Sequence, residues 1–106
     1  MAKLESKFQK ELMDTIKERY PGCVVLKNDS SYIQGFPDWT ILYKDKWAVL
    51  EAKREKGAKK QPNQEYYVDV LNSMSFSRFV YPENEAQVLE DLHKIFGDEE
   101  ERQYGI

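Results

Sequence analysis

The sequence has very little cysteine or histidine and no long apolar run. Cys23 and His93 are the only residues of their kinds among 106. One cysteine excludes an internal disulfide, and one cysteine with one histidine is too few for a zinc site of the usual kind. No segment approaches the roughly 20 consecutive apolar residues of a membrane-spanning helix, and the charged N-terminus lacks the apolar centre of a secretory signal. We therefore expect a protein of the reducing cytoplasm without a membrane partner.

The length and the charge distribution indicate one domain followed by an acidic tail. A chain of 106 residues can bury one core but not two. The formal net charge of -3 is carried entirely by residues 98–106, which hold four acidic residues and one arginine, so the preceding residues sum to zero. We predict a domain over residues 1–97 and an acidic C-terminal tail over residues 98–106.

Apolar spacing predicts helices and strands in the order αβββαβα. Large apolar side chains recur at helical spacing over residues 4–20, and Pro21-Gly22 ends that helix. Strands are predicted over residues 23–26, 38–43, 47–53 and 78–81, and further helices from Pro62-Asn63 and from about Glu83. The residues predicted to face inward from these two helices are Tyr67, Val70, Leu71, Met74, Ala86, Val88, Leu89, Leu92, Ile95 and Phe96. This order predicts an α/β domain with a mixed central sheet flanked by helices.

The stretch GFPDWTILYKDKWAVLEAKREKG, residues 35–57, predicts a hairpin with charged residues at its open end. If the turn is centred between residues 44 and 45, Asp38 lies opposite Glu51, and Asp38, Glu51 and Lys53 project from one face of the sheet. Opposite residues have Cβ atoms about 5 Å apart, so the two carboxylates repel each other. A cation between them would offset this repulsion, and Mg²⁺ suits one or two carboxylates combined with a substrate phosphate.

Pro37-Asp38 followed by Glu51-Ala52-Lys53, between a leading and a following helix, resembles the PD-(D/E)XK nuclease superfamily. The resemblance covers residues 4–81 and implies an αβββαβ restriction-endonuclease-like core, followed here by a C-terminal helix. Residues 35–38, with a helix beginning near Gln64, look most like the small phage and virus-type replication-repair nuclease (VRR-NUC) group. The archaeal Holliday-junction resolvases are similar at a greater distance.

The resemblance implies roles for the motif residues. Asp38 and Glu51 would be ligands of Mg²⁺, for which Mn²⁺ would substitute, and the backbone carbonyl of Ala52 would be a further ligand. Lys53 would be the catalytic lysine. Gln64 matches the glutamine that opens the second helix in the virus-type group, and Gln61 is the weaker match because a proline follows it.

Members of these families also carry a glutamate on the first helix, for which this chain offers two candidates. At about 100° per residue, the apolar stripe of the first helix points in the direction of Glu5, and Glu11 lies about a quarter-turn away. Spacing back from Gly22, in comparison with the resolvases, favours Glu11 instead. We favour Glu5 as the site residue and keep two alternatives open, that Glu11 has this role and that both residues are solvated helix charges.

Basic and aromatic residues flank the motif. Residues 53–60 hold five positive charges and one negative charge. The candidates for contacts with nucleic-acid phosphates are Arg54, Lys56, Lys59 and Lys60 beside the site and Lys27 and Gln34 on the other rim. Tyr32, Trp39, Tyr66 and Tyr67 are candidates for base stacking, although aromatic residues more often belong to a core or a dimer face.

Together these features predict a divalent-metal-dependent nuclease that hydrolyses DNA phosphodiester bonds in phage or repair-type DNA processing. The expected location is the cytoplasm of a bacterial host or of a phage-infected cell. Because residues 1–97 are neutral, selective cutting of junctions, flaps or nicks fits better than tight sequence-specific binding, and a homodimer with two sites is one arrangement for it. The resemblance supplies the preference for branched DNA. Two alternatives stay open: a nuclease-fold DNA-binding module without cleavage, and a protein-interaction domain whose charges are solvated.

Overall fold

A four-stranded mixed sheet and three helices make up the α/β fold of residues 2–97, the part of the chain that the computed structural model describes, with side chains from residue 5 onward. The acidic tail predicted over residues 98–106 lies outside these residues. The elements follow the predicted order: α1 (Ala2–Arg19), β1 (Val24–Lys27), β2 (Trp39–Tyr43), β3 (Lys46–Ala52), α2 (Gln64–Met74), β4 (Ser77–Val80) and α3 (Glu85–Phe96). Each strand boundary lies within one residue of its predicted position.

The sheet has the order β1-β2-β3-β4. The first three strands pair antiparallel, and β4 pairs parallel to β3 because α2 makes the crossover between them. The predicted hairpin register is confirmed, since Tyr43 lies opposite Lys46 and Leu42 opposite Trp47. The two-residue turn between the strands places Lys44 at a positive φ of 56°.

The principal core lies between one face of the sheet and the two helices α1 and α3. Ile41 and Leu50 are fully buried on this face, and Leu12, Ile16 and Leu92 cover them from the helices. Alternate residues of β2 and β3 supply the face because side chains alternate along a strand. Burial of each such aliphatic side chain contributes about 1.5–3 kcal/mol relative to leaving it exposed.

The opposite face of the sheet is covered on one side only. α2 contacts β3 and β4 and packs the buried Val68 and Leu71 on it. On the other side Val24, Leu26 and Leu42 are exposed. The sheet is therefore covered by α2 only on the side of β3 and β4.

Two residues that were predicted to face inward are exposed, so those two predictions were wrong. Met74 is 66% exposed and Ala86 is also exposed. The buried stripe of α2 consists of Gln64, Val68 and Leu71, which places Met74 about a quarter-turn from its centre. The buried stripe of α3 runs through Val88, Leu89, Leu92 and Phe96, and Ala86 projects from its flank.

Within residues 2–97, no helix combines the length and the apolar character needed to cross a bilayer.

Candidate active site

The open end of the hairpin brings Asp38 and Glu51 together. Asp38 immediately precedes β2, and Glu51 is the second-last residue of β3. The backbone N–H of Asp38 donates a hydrogen bond of 3.0 Å to Oε1 of Glu51, whose residue is 3% exposed. A largely buried glutamate is rare unless its charge has a partner. The pair therefore marks this end of the sheet as a candidate site.

Asn28, just beyond the end of β1, holds the backbone around Asp38. Its side-chain amide donates to the carbonyl of Pro37 at 2.8 Å and to Oγ1 of Thr40 at 2.9 Å. Its backbone N–H donates to the carbonyl of Asp38 at 2.6 Å. These bonds, with the fixed φ of the fully buried Pro37, set the direction of the Asp38 side chain.

Gly35 allows the loop before Asp38 to pack tightly against the beginning of α2. It has a φ of +87°, and a Cβ atom there would lie 2.5 Å from the carbonyl oxygen of Pro62 and 2.6 Å from Cβ of Asn63. Only glycine tolerates both conditions. The ring of Phe36 lies 5.6 Å from that of Tyr67, which adds a second contact between the loop and α2.

Gln64, the first residue of α2, is buried at the site although it is polar. It is 6% exposed, and its Oε1 accepts a hydrogen bond of 2.7 Å from the backbone N–H of Gln61. The preceding Asn63 adopts a left-handed φ of 71° and makes no side-chain capping bond. The bond from Gln61 ties the Gln64 side chain to the turn that precedes the helix, which fixes it near the hairpin.

Lys53 lies directly after β3. Its Nζ is 3.6 Å from Oε2 of Glu51, and the residue is 8% exposed. Its backbone N–H donates to the carbonyl of Val80 in β4 at 2.8 Å. Since successive backbone groups of a strand point in opposite directions, the carbonyl of Ala52 points away from β4, toward the Asp38 side of β3.

One cavity of about 420 Å³, here called the site cavity, collects these groups. Its lining includes Asp38, Glu51, Lys53, Gln64 and the half-buried Glu5 from the first turn of α1. Glu11 is exposed and does not line it. The helical direction of α1 therefore brings Glu5 rather than Glu11 to the residues of the motif.

Glu51 is a weaker acid than a free glutamate, because it is buried beside a second carboxylate. Burial, and after it the charge of Asp38, raise the pKa of Glu51 from 4.5 to about 7, whereas Lys53 and the Asp38 N–H act in the opposite direction. Two carboxylates and a backbone carbonyl form a set of hard oxygen donors, which suits Mg²⁺ or Mn²⁺. Among residues 5–97, no three Asp, Glu, His or Cys side chains lie close enough to hold a metal together. Asp38, Glu51 and the carbonyl of Ala52 would thus suit an ion that keeps several waters, and Glu5 does not complete a group of three carboxylates with the pair.

Lys27, predicted as a phosphate contact, forms an ion pair with Asp38. Its Nζ is 3.3 Å from Oδ2 of Asp38, and the lysine side chain is 53% exposed. The same Nζ is 4.6 Å from the centre of the Trp39 ring and 3.4 Å from Oε1 of Gln9. Each carboxylate of the pair therefore has one lysine partner.

The other predicted phosphate contacts are spread around the rim. Gln34 is exposed and lines the site cavity. Lys59 and Lys60 are exposed and line an adjoining cavity. Arg54 is half-buried with its Nε 3.8 Å from Oε1 of Glu55, and Lys56 is exposed and lines neither cavity.

Two of the positions that hold the site together had only a partial signal in the sequence. Asn28 begins the polar stretch Asn-Asp-Ser-Ser, residues 28–31, which is typical of a turn and does not indicate that Asn28 holds the backbone of Asp38. Gly35 was noted within the motif, but its contact with Pro62 depends on a loop conformation that periodicity does not describe. A glycine two residues before Pro37-Asp38 was the available signal.

No family model matches the chain, and no curated protein or solved structure matches it either.

Proposed function

We propose that the protein is a divalent-metal-dependent nuclease with a PD-(D/E)XK core of the virus-type replication-repair kind, and that it hydrolyses DNA phosphodiester bonds. The observation that carries the proposal is the convergence of Asp38, Glu51 and Lys53 in one cavity, with Glu51 buried beside a second carboxylate. A buried carboxylate beside a second, half-buried carboxylate is costly to the fold, so its presence supports a role for those charges.

In this proposal Asp38, Glu51 and the carbonyl of Ala52 hold Mg²⁺ or Mn²⁺. When bound, the metal supplies Lewis-acid polarisation of a phosphate oxygen and lowers the pKa of a nearby water. Glu51 is already oriented, because the Asp38 N–H binds Oε1 while Lys53 lies beside Oε2. Such fixed partners keep a ligand in position.

Lys53 is positioned to act on the attacking water and on the transition state. Its ammonium group, 3.6 Å from Oε2 of Glu51, lies where it can orient the attacking water and offset negative charge in the transition state. Glu5 and Gln64 form further walls of the site cavity and position the water and the nucleotide. The low exposure of Lys53 strengthens its electrostatic effect, because few waters screen it.

The proposed substrate is branched or nicked DNA in phage or repair-type processing, and a homodimer with two sites suits a junction. The neutral charge of residues 1–97 supports selection by shape over strong duplex affinity. The basic residues of the rim, Lys59 and Lys60 among them, would contact the phosphates on either side of the cut.

One observation favours a second candidate, a DNA-binding module that does not cleave. Lys27 and Lys53 each already partner one carboxylate, and the described residues offer no third acidic ligand to the pair. Isothermal titration with Mn²⁺ separates the candidates. The nuclease binds the ion and loses binding in Asp38→Asn, whereas the module without a metal gives no heat.

A cleavage assay tests the nuclease directly. Labelled duplex, single-stranded, flap and four-way-junction DNA are incubated with the full chain and Mg²⁺ or Mn²⁺. We expect Asp38→Asn and Lys53→Met to lower the rate at least about 100-fold. The matched controls are Asp45→Asn, whose side chain is 82% exposed at the far end of the hairpin, and Lys94→Met, whose side chain is 70% exposed on α3. Cleavage that survives both site substitutions would overturn the proposal.

A further inference from the structure

A second cavity of about 680 Å³ adjoins the site cavity. Lys59, Lys60 and Tyr66 line this flanking cavity, and Gln61 lines both cavities. A chain that leaves the site cavity past Gln61 therefore enters the flanking cavity directly. Polar groups and one large aromatic ring face it, in contrast to an enclosed apolar pocket for a small molecule.

The aromatic ring in the flanking cavity is exposed but held in place. Tyr66 is 62% exposed, and its ring lies 5.1 Å from that of Tyr67 in an edge-to-face arrangement. Tyr67 in turn packs against Phe36, which lines the site cavity two residues before Asp38. A row of three rings thus runs from the site to a free aromatic face, and the outermost ring is positioned by the other two.

The charge of the flanking cavity suits a phosphate backbone. Two lysines oppose one carboxylate, Glu65, in its lining. Nζ of Lys60 is held 4.9 Å from the centre of the Phe79 ring, so it is less free than an ordinary surface lysine. An exposed ring beside two cations is the combination that binds single-stranded nucleic acid, in which bases stack on the ring and phosphates meet the cations.

From this arrangement we infer that the flanking cavity binds an unpaired nucleotide of the strand that occupies the site cavity, with its base stacked on Tyr66. A base inside a duplex is stacked on both faces and paired along its edge, so it cannot lie on this ring. The substrate therefore carries a single-stranded arm or a frayed end next to the site. This inference rests on the proposed function for its statement that the strand in the site cavity is DNA to be cut.

Binding without cleavage tests the inference on the full chain in Ca²⁺ buffer. The probes are a blunt duplex and two duplexes that share its sequence and carry a 3′ or a 5′ single-stranded arm. Each armed duplex has 2-aminopurine at the first unpaired position. We expect tighter binding of one armed duplex, with a change in its 2-aminopurine fluorescence. Tyr66→Leu should weaken that binding at least about fivefold without affecting the blunt duplex, and Tyr66→Phe should retain it.

Met74→Ala is the matched control, because Met74 is 66% exposed on the same helix as Tyr66 but lines neither cavity. Thermal denaturation of each variant shows whether the fold is intact. Equal loss of armed and blunt duplex in Tyr66→Leu, or no loss of either, overturns the inference. If binding of the arm depends on Tyr66 but no DNA is cleaved in Mg²⁺ or Mn²⁺, the inferred role of the flanking cavity is supported and the nuclease proposal is overturned. Cleavage that prefers an armed duplex equally in the wild type and in Tyr66→Leu supports the nuclease proposal and overturns the inference.

Discussion

The backbone N–H of Asp38 donates a hydrogen bond to Oε1 of Glu51, across the open end of the β2–β3 hairpin. The bond joins the backbone of a loop residue to the side chain of a strand residue, so it fixes the Glu51 carboxylate relative to the backbone of Asp38. It also stabilises the charged form of Glu51, but not enough to cancel the effects of burial and of the Asp38 charge. The metal-free protein therefore holds a carboxylate, that of Glu51, whose charged form is destabilised at the place where the proposed chemistry occurs.

Glu51→Gln should stabilise the metal-free protein at pH 8. The folded pKa of Glu51 is about 7 against 4.5 for the free side chain, so the folded state binds more protons between these values and stability falls as the pH rises from 4.5 to 7. The loss is complete above pH 7 and corresponds to about 3 kcal/mol. Glutamine carries no charge and retains an oxygen for the Asp38 N–H.

Urea denaturation in EDTA at pH 4 and pH 8 measures this effect. We expect the free energies of unfolding of the wild type and Glu51→Gln to agree within about 1 kcal/mol at pH 4, because Glu51 is then mostly protonated in both states. At pH 8 the variant should exceed the wild type by up to about 3 kcal/mol. Glu55→Gln, at an exposed position in the following loop, should show no such pH dependence. A variant that is less stable than the wild type at pH 8 would contradict the electrostatic account.

Mg²⁺ should stabilise the wild type and leave Glu51→Gln and Asp38→Asn unaffected. A ligand that binds only the folded state at 100 times its dissociation constant adds about 2.7 kcal/mol to the free energy of unfolding. The measurement is the urea midpoint at pH 8 over a series of Mg²⁺ concentrations, with equal ionic strength in KCl as the control for screening. Equal midpoint shifts in all three proteins would mean that the ion acts elsewhere.

Lys27→Gln should tighten Mg²⁺ binding. Nζ of Lys27 lies 3.3 Å from Oδ2 of Asp38, and a cation there competes with a metal for the same oxygen. Because the lysine is half-exposed, the pair is worth no more than about 1 kcal/mol, which sets the expected gain at about two- to fivefold in affinity. Isothermal titration measures it. Lys10→Gln, which removes a lysine from the exposed Lys10–Asp14 pair on α1, should leave the affinity unchanged.

The features predicted correctly from the sequence depend on local regularities. The hairpin register followed from a turn centred between residues 44 and 45, and alternation then placed Asp38, Glu51 and Lys53 on one face. The direction of the α1 stripe was enough to bring Glu5 to the site cavity. These inferences need only the periods of a strand and a helix.

The features that the sequence did not predict depend on how elements meet. Met74 was assigned inward as part of an apolar stripe, but the buried side of α2 runs through Gln64, Val68 and Leu71. An apolar stripe does not include the polar Gln64, so its direction was misjudged. Lys27 was assigned to the rim, and only the packing of β1 beside β2 places it on Asp38. The three-ring row from Phe36 to Tyr66 requires contact between a loop and a helix that are far apart in the chain.

Gly35→Ala should destabilise the fold and separate Gln64 from the carboxylates, whereas Gly57→Ala should do neither. An alanine at residue 35 would have both a φ of +87° and a Cβ atom 2.5 Å from the backbone oxygen of Pro62, and backbone cannot move as a side-chain end can. The strained backbone alone costs at least about 1 kcal/mol. Relief of the contact moves the loop away from the beginning of α2, which widens the site cavity. Gly57 is the matched control, because a Cβ atom added there would meet no other atom within 4 Å.

Urea denaturation and Mg²⁺ affinity, measured on the two glycine variants, separate the two effects. We expect Gly35→Ala to lower the free energy of unfolding by more than the roughly 1 kcal/mol of backbone strain, because the contact adds to it. Its Mg²⁺ affinity should fall much less than that of Asp38→Asn, because Asn28 still holds the backbone of Asp38. Its cleavage rate should fall further than its Mg²⁺ affinity, because Gln64 leaves the site. A Gly35→Ala protein as stable and active as Gly57→Ala would show that the close packing of this loop on α2 is not needed to position the site.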